Sequence, residues 1–183
     1  MIPIHHCRAR RDAAALAAAL MLAGLVPASA TKAVAADAAG RDSAEVSVAV
    51  PVEDPALVWL SYREAKSTSR HSERPLMIYF SEARSMDCGR LDRDVWTDRK
   101  VRRYLNDQLV VARVDMQDMP AVAGHFDVKE APTLLFLASD GERLVVLRGY
   151  NGADSILRVA EYVCTKAYEF TDYETWKSRN PGP

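Results

Sequence analysis

The chain has 183 residues, 49% of them hydrophobic and 27% charged, which excludes a disordered or fibrous protein and fits one globular domain of ordinary size. Its 24 Lys and Arg stand against 25 Asp and Glu, so no basic excess argues for nucleic acid and no acidic tract for a solvating tail.

Three basic residues, Arg8, Arg10 and Arg11, precede an apolar run from Ala13 to Val26, and small residues follow at Ala28-Ser29-Ala30 and Ala33-Val34-Ala35. That order is the pattern of a cleavable secretory signal peptide. The apolar run is about fourteen residues, short of the roughly twenty that span a bilayer. The Arg10-Arg11 pair leaves a twin-arginine export route open beside the general one, and Cys7 lies ahead of the apolar run, so no cysteine stands at a lipidation position. The expectation is a signal peptide over residues 1–36 and a periplasmic or secreted protein with no stable membrane span after cleavage. Without those residues, 20 basic groups face 24 acidic ones and two cysteines remain, Cys88 and Cys164.

Residues 37–54 are small and polar and suit a flexible lead-in. From Pro55, the apolar Leu57, Val58, Leu60, Tyr62 and Ala65 suggest a helix, closed by a polar loop over Ser67-Thr68-Ser69-Arg70-His71-Ser72. Leu76-Met77-Ile78-Tyr79-Phe80 is a continuous apolar run, the form of a central strand buried on both faces, and Leu109 to Val114 is a second. Between them Leu91 and Val95, then Val101, Tyr104 and Leu105, recur at helical spacing, with Thr97 and Asp98 marking an interruption and a new N-cap. Thr133–Leu137 and Arg143–Leu147 predict two more strands, joined through Asp140-Gly141 as a hairpin. A last helix begins near Asp154, with Ile156, Val159, Ala160, Val163, Cys164 and Ala167 forming one stripe towards the sheet. The segment 170–183 is polar apart from Tyr173 and Trp176 and could pack back or stay loose.

At this point the residues resemble a known family. The run from Phe80 to Trp96, containing Ser85-Met86-Asp87-Cys88, is similar to the active-site strand, turn and helix of exported thioredoxin-like proteins. Ala131-Pro132-Thr133-Leu134-Leu135-Phe136 resembles that family's cis-proline loop and following strand, and Asp140-Gly141 with Arg148-Gly149-Tyr150 resembles its hairpin. The resemblance covers residues 55–169 and implies an α/β fold of three layers, a central mixed sheet of about four strands flanked by helices.

In such folds the first cysteine of Cys-x-x-Cys lies at a helix N-terminus, where the dipole and unpaired N–H groups stabilise a thiolate that attacks a substrate disulfide. The second cysteine then resolves the mixed disulfide. Here the first position is Ser85 and only Cys88 remains. A serine hydroxyl neither ionises near neutral pH nor forms a disulfide, so the dithiol cycle cannot run on this motif. The family's tryptophan before the first cysteine is Arg84, and its buried acid would fall at Tyr79.

Three readings of Cys88 stay open: a shielded structural thiol, a lone nucleophile or redox-sensing thiol activated by the helix N-terminus and by Arg84 or Arg90, and a permanent disulfide with Cys164. Ser85 serves equally as a helix N-cap, and Cys164 on the apolar stripe reads as core. The resemblance implies a cis peptide at Pro132 that sets Ala131 and Thr133 beside the turn. With Arg84, Met86 and Asp87, these residues make a candidate binding surface where an extended peptide could pair with backbone. His71 and His125 have no partner at metal-ligand spacing, so neither a metal nor a cofactor is implied. Two functions follow. One is a binding module for a polypeptide or protein partner. The other is a monothiol disulfide-exchange enzyme or sensor acting through Cys88 with a second thiol such as glutathione.

Overall fold

The computed structural model of the chain describes residues 55–181. The expected signal peptide (1–36) and the lead-in (37–54) lie outside these residues.

Chain order begins with helix α1 (Tyr62–Ser72), strand β1 (Leu76–Ser81), and helices α2 (Met86–Asp94) and α3 (Arg99–Gln108). Strand β2 (Val110–Asp115), the short helix α4 (Pro120–His125), strands β3 (Thr133–Leu137) and β4 (Arg143–Arg148), and helix α5 (Ala153–Cys164) complete the layered part. A 3-10 turn at Ala167–Glu169 and helix α6 (Tyr173–Arg179) follow.

The four strands form one sheet in the order β2-β1-β3-β4. Strand β1 runs parallel to β2, Leu76 opposite Val110, and antiparallel to β3, Phe80 opposite Thr133. The hairpin of β3 and β4 closes one edge. Every residue of β1 and β3 is buried, as strands covered on both faces must be.

Alternation along β1 divides the core into two layers. Met77 and Tyr79 point to the side holding Cys88 and Leu91 of α2, Val101 and Leu105 of α3, and Ile156 and Val159 of α5. Leu76, Ile78 and Phe80 point to the opposite side, with Ala65 of α1 and Ala123 of α4. The chain is therefore an α/β fold of three layers, helices on both faces of a mixed four-stranded sheet, as the resemblance implied.

Two local expectations are corrected. The first helix does not run from Pro55 and end before Ser67. It starts at Tyr62, where Ser61 and Glu64 form a reciprocal capping box, and continues through the polar stretch to Ser72. The upstream apolar residues serve other ends: Leu57 is buried in the core, and Leu60 forms a parallel bridge to Ala112 that extends the sheet beyond β2. The polar stretch stays helical because it needs little apolar surface. Ser69 faces inward with its hydroxyl donating to the Arg74 carbonyl at 2.6 Å, and Glu73 ends the helix in the left-handed region at φ 55°.

Of the two alternatives for residues 170–183, packing back is the one observed for the described part. Asp172 caps α6, and Tyr173 and Trp176 lie against Tyr162 of α5 at ring distances of 5.4 and 5.5 Å. The Arg158 guanidinium donates to the Asn180 carbonyl and fastens the far end of α6.

Candidate functional site

The end of β1 delivers the chain into the turn Glu82–Ser85, and Ser85, extended at φ -76° and ψ 120°, is the N-cap of α2. Its hydroxyl accepts from the Cys88 N–H at 3.3 Å and donates to the Ala131 carbonyl at 3.3 Å. One side chain thus satisfies a helix N-terminal donor and ties the head of α2 to the loop ahead of β3. The Ala131–Pro132 peptide bond in that loop is cis, Pro132 and Thr133 are buried, and the Pro132 carbonyl accepts from the Gly149 N–H at 2.8 Å. Ser85, Ala131 and the Gly149-Tyr150 turn are therefore held together by hydrogen bonds from three separate segments.

Around this centre, Arg84 and Met86 are exposed, Met86 to 86%, while Asp87 is half-buried and pairs with Arg90 at 3.2 Å. The Arg90 guanidinium also lies 3.9 Å from the Tyr150 ring centroid, a cation–π contact that closes the gap between α2 and the turn after β4. Sequence reasoning noticed Tyr150 only as part of a hairpin motif. The signal it missed was an arginine two residues after the cysteine with an aromatic residue after the last strand, and it means nothing until the fold joins them.

Cys88 sits on the other side of the same helical turn. It is only 3% exposed, packed among the residues of the α2–α3–α5 layer, and its thiol is free. The N-cap side chain, not the one three residues later, faces the unpaired N–H groups, so the position favoured for a stabilised anion is held by a hydroxyl. The expected alternative of a Cys88–Cys164 disulfide is not present. The Cys164 sulfur instead lies in the core, 3.9 Å from the Gln108 carbonyl oxygen.

Beneath Cys88, Tyr79 is fully buried between Trp59 and Trp96, with ring distances of 5.8 and 5.3 Å. Burial pushes the Tyr79 phenol far above its ordinary range, and the adjacent Cys88 thiol and the Asp92 carboxylate add to the shift against a small opposing pull from Arg113. The contact between the phenol and the sulfur falls short of hydrogen-bond geometry, and the Tyr79 hydroxyl and the Trp96 indole N–H are both buried without a partner. Arg113, opposite Tyr79 in the parallel ladder, lies 5.0 Å from the tyrosine ring centroid and grips Asp92 with two bonds of 3.0 Å. Tyr79 therefore offers no carboxylate to take a proton from Cys88 and stays neutral throughout the physiological range.

His71 and His125 are exposed and apart from this centre. Among the described residues no three His, Cys, Asp or Glu side chains come together to hold a metal ion. No helix among them is long and apolar enough to cross a membrane.

With the geometry in place, comparison with known proteins is consistent. Residues 58–139 match a protein family described as Thioredoxin-like. Among solved structures, a thioredoxin from Thermus thermophilus is 27% identical over 61% of this chain and 90% of its own, with a TM-score of 0.56. A DsbH oxidoreductase is 20% identical over 64% of this chain and 90% of its own, TM-score 0.54. A thioredoxin-fold protein from Helicobacter pylori is 16% identical over 58% and 86%, TM-score 0.52. No curated protein matches the chain. By its sheet order and by the match over residues 58–139, the chain carries a thioredoxin-fold domain whose two described cysteines form no Cys-x-x-Cys pair.

Proposed function

We propose that this is an exported binding module that has lost dithiol chemistry and holds an extended polypeptide segment beside the Ala131–Pro132 bond. The observation that carries the reading is the double role of the Ser85 hydroxyl, bonded to the Cys88 N–H and to the Ala131 carbonyl, above a cysteine that is only 3% exposed. That arrangement preserves the architecture of a disulfide-exchange centre while removing its nucleophile. What stays accessible is recognition surface: the Met86 side chain, the Arg84 guanidinium, the Arg90–Tyr150 pair and the half-buried Ala131 backbone at the head of β3. An extended segment laid against Ala131 gains backbone hydrogen bonds, and Met86 supplies an adaptable apolar contact. The basic leader and apolar run at the N-terminus support action in the periplasm or outside the cell.

Titration of the isotopically labelled mature protein with a reduced, unfolded polypeptide tests this reading. Saturable amide shifts centred on Met86, Ala131 and Tyr150, unchanged when Cys88 is replaced by alanine, support a binding module. Shifts that vanish with Cys88→Ala, accompanied by a mixed disulfide between Cys88 and an oxidised form of the polypeptide, favour the monothiol enzyme instead.

A further inference from the structure

A second cleft opens at the other end of the sheet from Ser85, where β1 begins and β3 ends. It has a volume of about 140 Å³ and is bounded by α1, the end of α4 and the β3–β4 turn. Its floor is apolar: Leu76 and Leu137 are each 3% exposed, and Tyr62 meets Phe126 edge to face at 5.9 Å. The volume is close to that of a cavity known to accept one benzene ring, about 150 Å³.

The rim is polarised. Lys66 and Arg70, one turn apart on α1, both border the opening, and among the described residues neither has a carboxylate within ion-pair distance. The Lys66 ammonium stands 6.0 Å from the Tyr62 ring centroid. The rim's carboxylate, Asp140, accepts from the Glu142 N–H at 2.9 Å and is engaged in the hairpin turn. An apolar floor, with two cations outside ion-pair distance of any described carboxylate and a single carboxylate at its mouth, leaves the rim net positive and matches a ligand with both parts.

We propose that this cleft binds a small carboxylate carrying a single six-membered ring, the ring resting on the floor beside the Tyr62–Phe126 pair and the carboxylate meeting Arg70 and Lys66. The site is separate from the Ser85–Pro132 surface and does not rest on the function proposed for it. The same chemistry is presented by a free aromatic acid and by the C-terminal phenylalanine of a peptide, whose α-carboxylate lies close to its ring.

The test is an NMR titration of the mature protein with benzoate, with the neutral isostere benzyl alcohol, and with a dipeptide ending in phenylalanine. Benzoate is expected to give saturable shifts at Tyr62, Phe126 and Gly141, with Met86 and Ala131 unmoved, and to bind about tenfold more tightly than benzyl alcohol, the ratio that one charge-assisted contact produces. Arg70→Gln and Lys66→Gln alter exposed side chains and leave the fold intact. Each is expected to weaken benzoate several-fold and leave benzyl alcohol unchanged. Tighter binding of the dipeptide than of benzoate assigns the site to a peptide C-terminus, and the reverse order to a free acid. Absence of saturable shifts up to about 10 mM, a range in which a ligand of this size should register, overturns the proposal. So does equal binding of benzoate and benzyl alcohol with no effect of Arg70→Gln.

Discussion

Ser85 shows how one atom separates two chemistries. An oxygen at this position donates to Ala131, accepts from the Cys88 N–H and stays neutral. A sulfur in its place would stand over the same helix N-terminus, where a thiolate is stabilised, three residues from a buried partner cysteine. Ser85→Cys is therefore expected to create a redox-active pair. The variant should form an internal disulfide under mild oxidation and, once reduced, cleave insulin disulfides, an activity not expected of the parent, and a variant that forms no such bond would show that the turn has drifted from the exchange geometry. Ser85→Ala removes the cap and the tie to Ala131 and should cost about 1 kcal/mol of stability, measured by urea unfolding. Tyr79→Phe deletes a hydroxyl that is buried without a partner. Since an unmatched polar group is a cost to the folded state, this substitution is expected to be neutral or stabilising by about 1 kcal/mol in the same assay.

At the scale of elements, sequence and structure agree where burial is two-sided and diverge where it is not. The run at Leu76–Phe80 is legible as a central strand because every residue in it is apolar and buried. The second such run, Leu109 to Val114, instead forms an outer one of the four strands with Arg113 exposed, and Thr133–Leu137, read only as one strand of a hairpin, takes the central place beside β1. The first helix starts later than apolar spacing suggests, because the apolar residues ahead of it have other partners. Leu57 and Leu60 join the core and the sheet edge instead, while the helix that follows presents only Ala65 and Ser69 as buried positions. Its true start was signalled by Ser61 and Glu64, a capping pair readable in the chain. The docking of α6 is not legible in the sequence because a seven-residue helix has little intrinsic stability and depends on the Tyr162 and Arg158 surface of α5.

That dependence has a pH signature. Hydrogen bonds from the Thr175 N–H and hydroxyl hold the Asp172 carboxyl below its ordinary value of 3.8. A folded-state pKa depressed in this way contributes stability that is complete above the unfolded value and is lost as pH falls through the folded one. Trp176 fluorescence is expected to hold steady from neutral pH to about pH 4 and to change below it. Asp172→Asn, which keeps an N-cap acceptor without the charge, should flatten the acid limb. A transition unchanged by that substitution would place its origin elsewhere.

Across the whole molecule, the fold was readable from order and pattern, whereas the surroundings of the site were not. Trp59, Tyr79, Trp96 and Arg113 come from four separate segments and meet only because β1 lies beside β2 and α2 packs across them. No spacing rule links those positions. The one hint was Arg113, the single charged residue inside the otherwise apolar run Leu109 to Val114. The two core layers share the β1–β3 pair, so a cavity there should weaken the domain as a unit. Phe136→Ala is expected to cost about 3–5 kcal/mol in denaturant unfolding.

The proposed loss of exchange chemistry with retention of the recognition surface turns on Cys88. The most direct measurement is the alkylation rate of Cys88 against pH in the folded mature protein, with Cys88 and Cys164 resolved by peptide mass spectrometry. Cys88 is expected to resist modification at every pH where the protein stays folded and to react at the rate of an ordinary thiol once it is unfolded. Rapid alkylation of the folded protein, with an apparent pKa well below the roughly 8.5 of a free cysteine, would contradict the proposed loss and make Cys88 a working nucleophile.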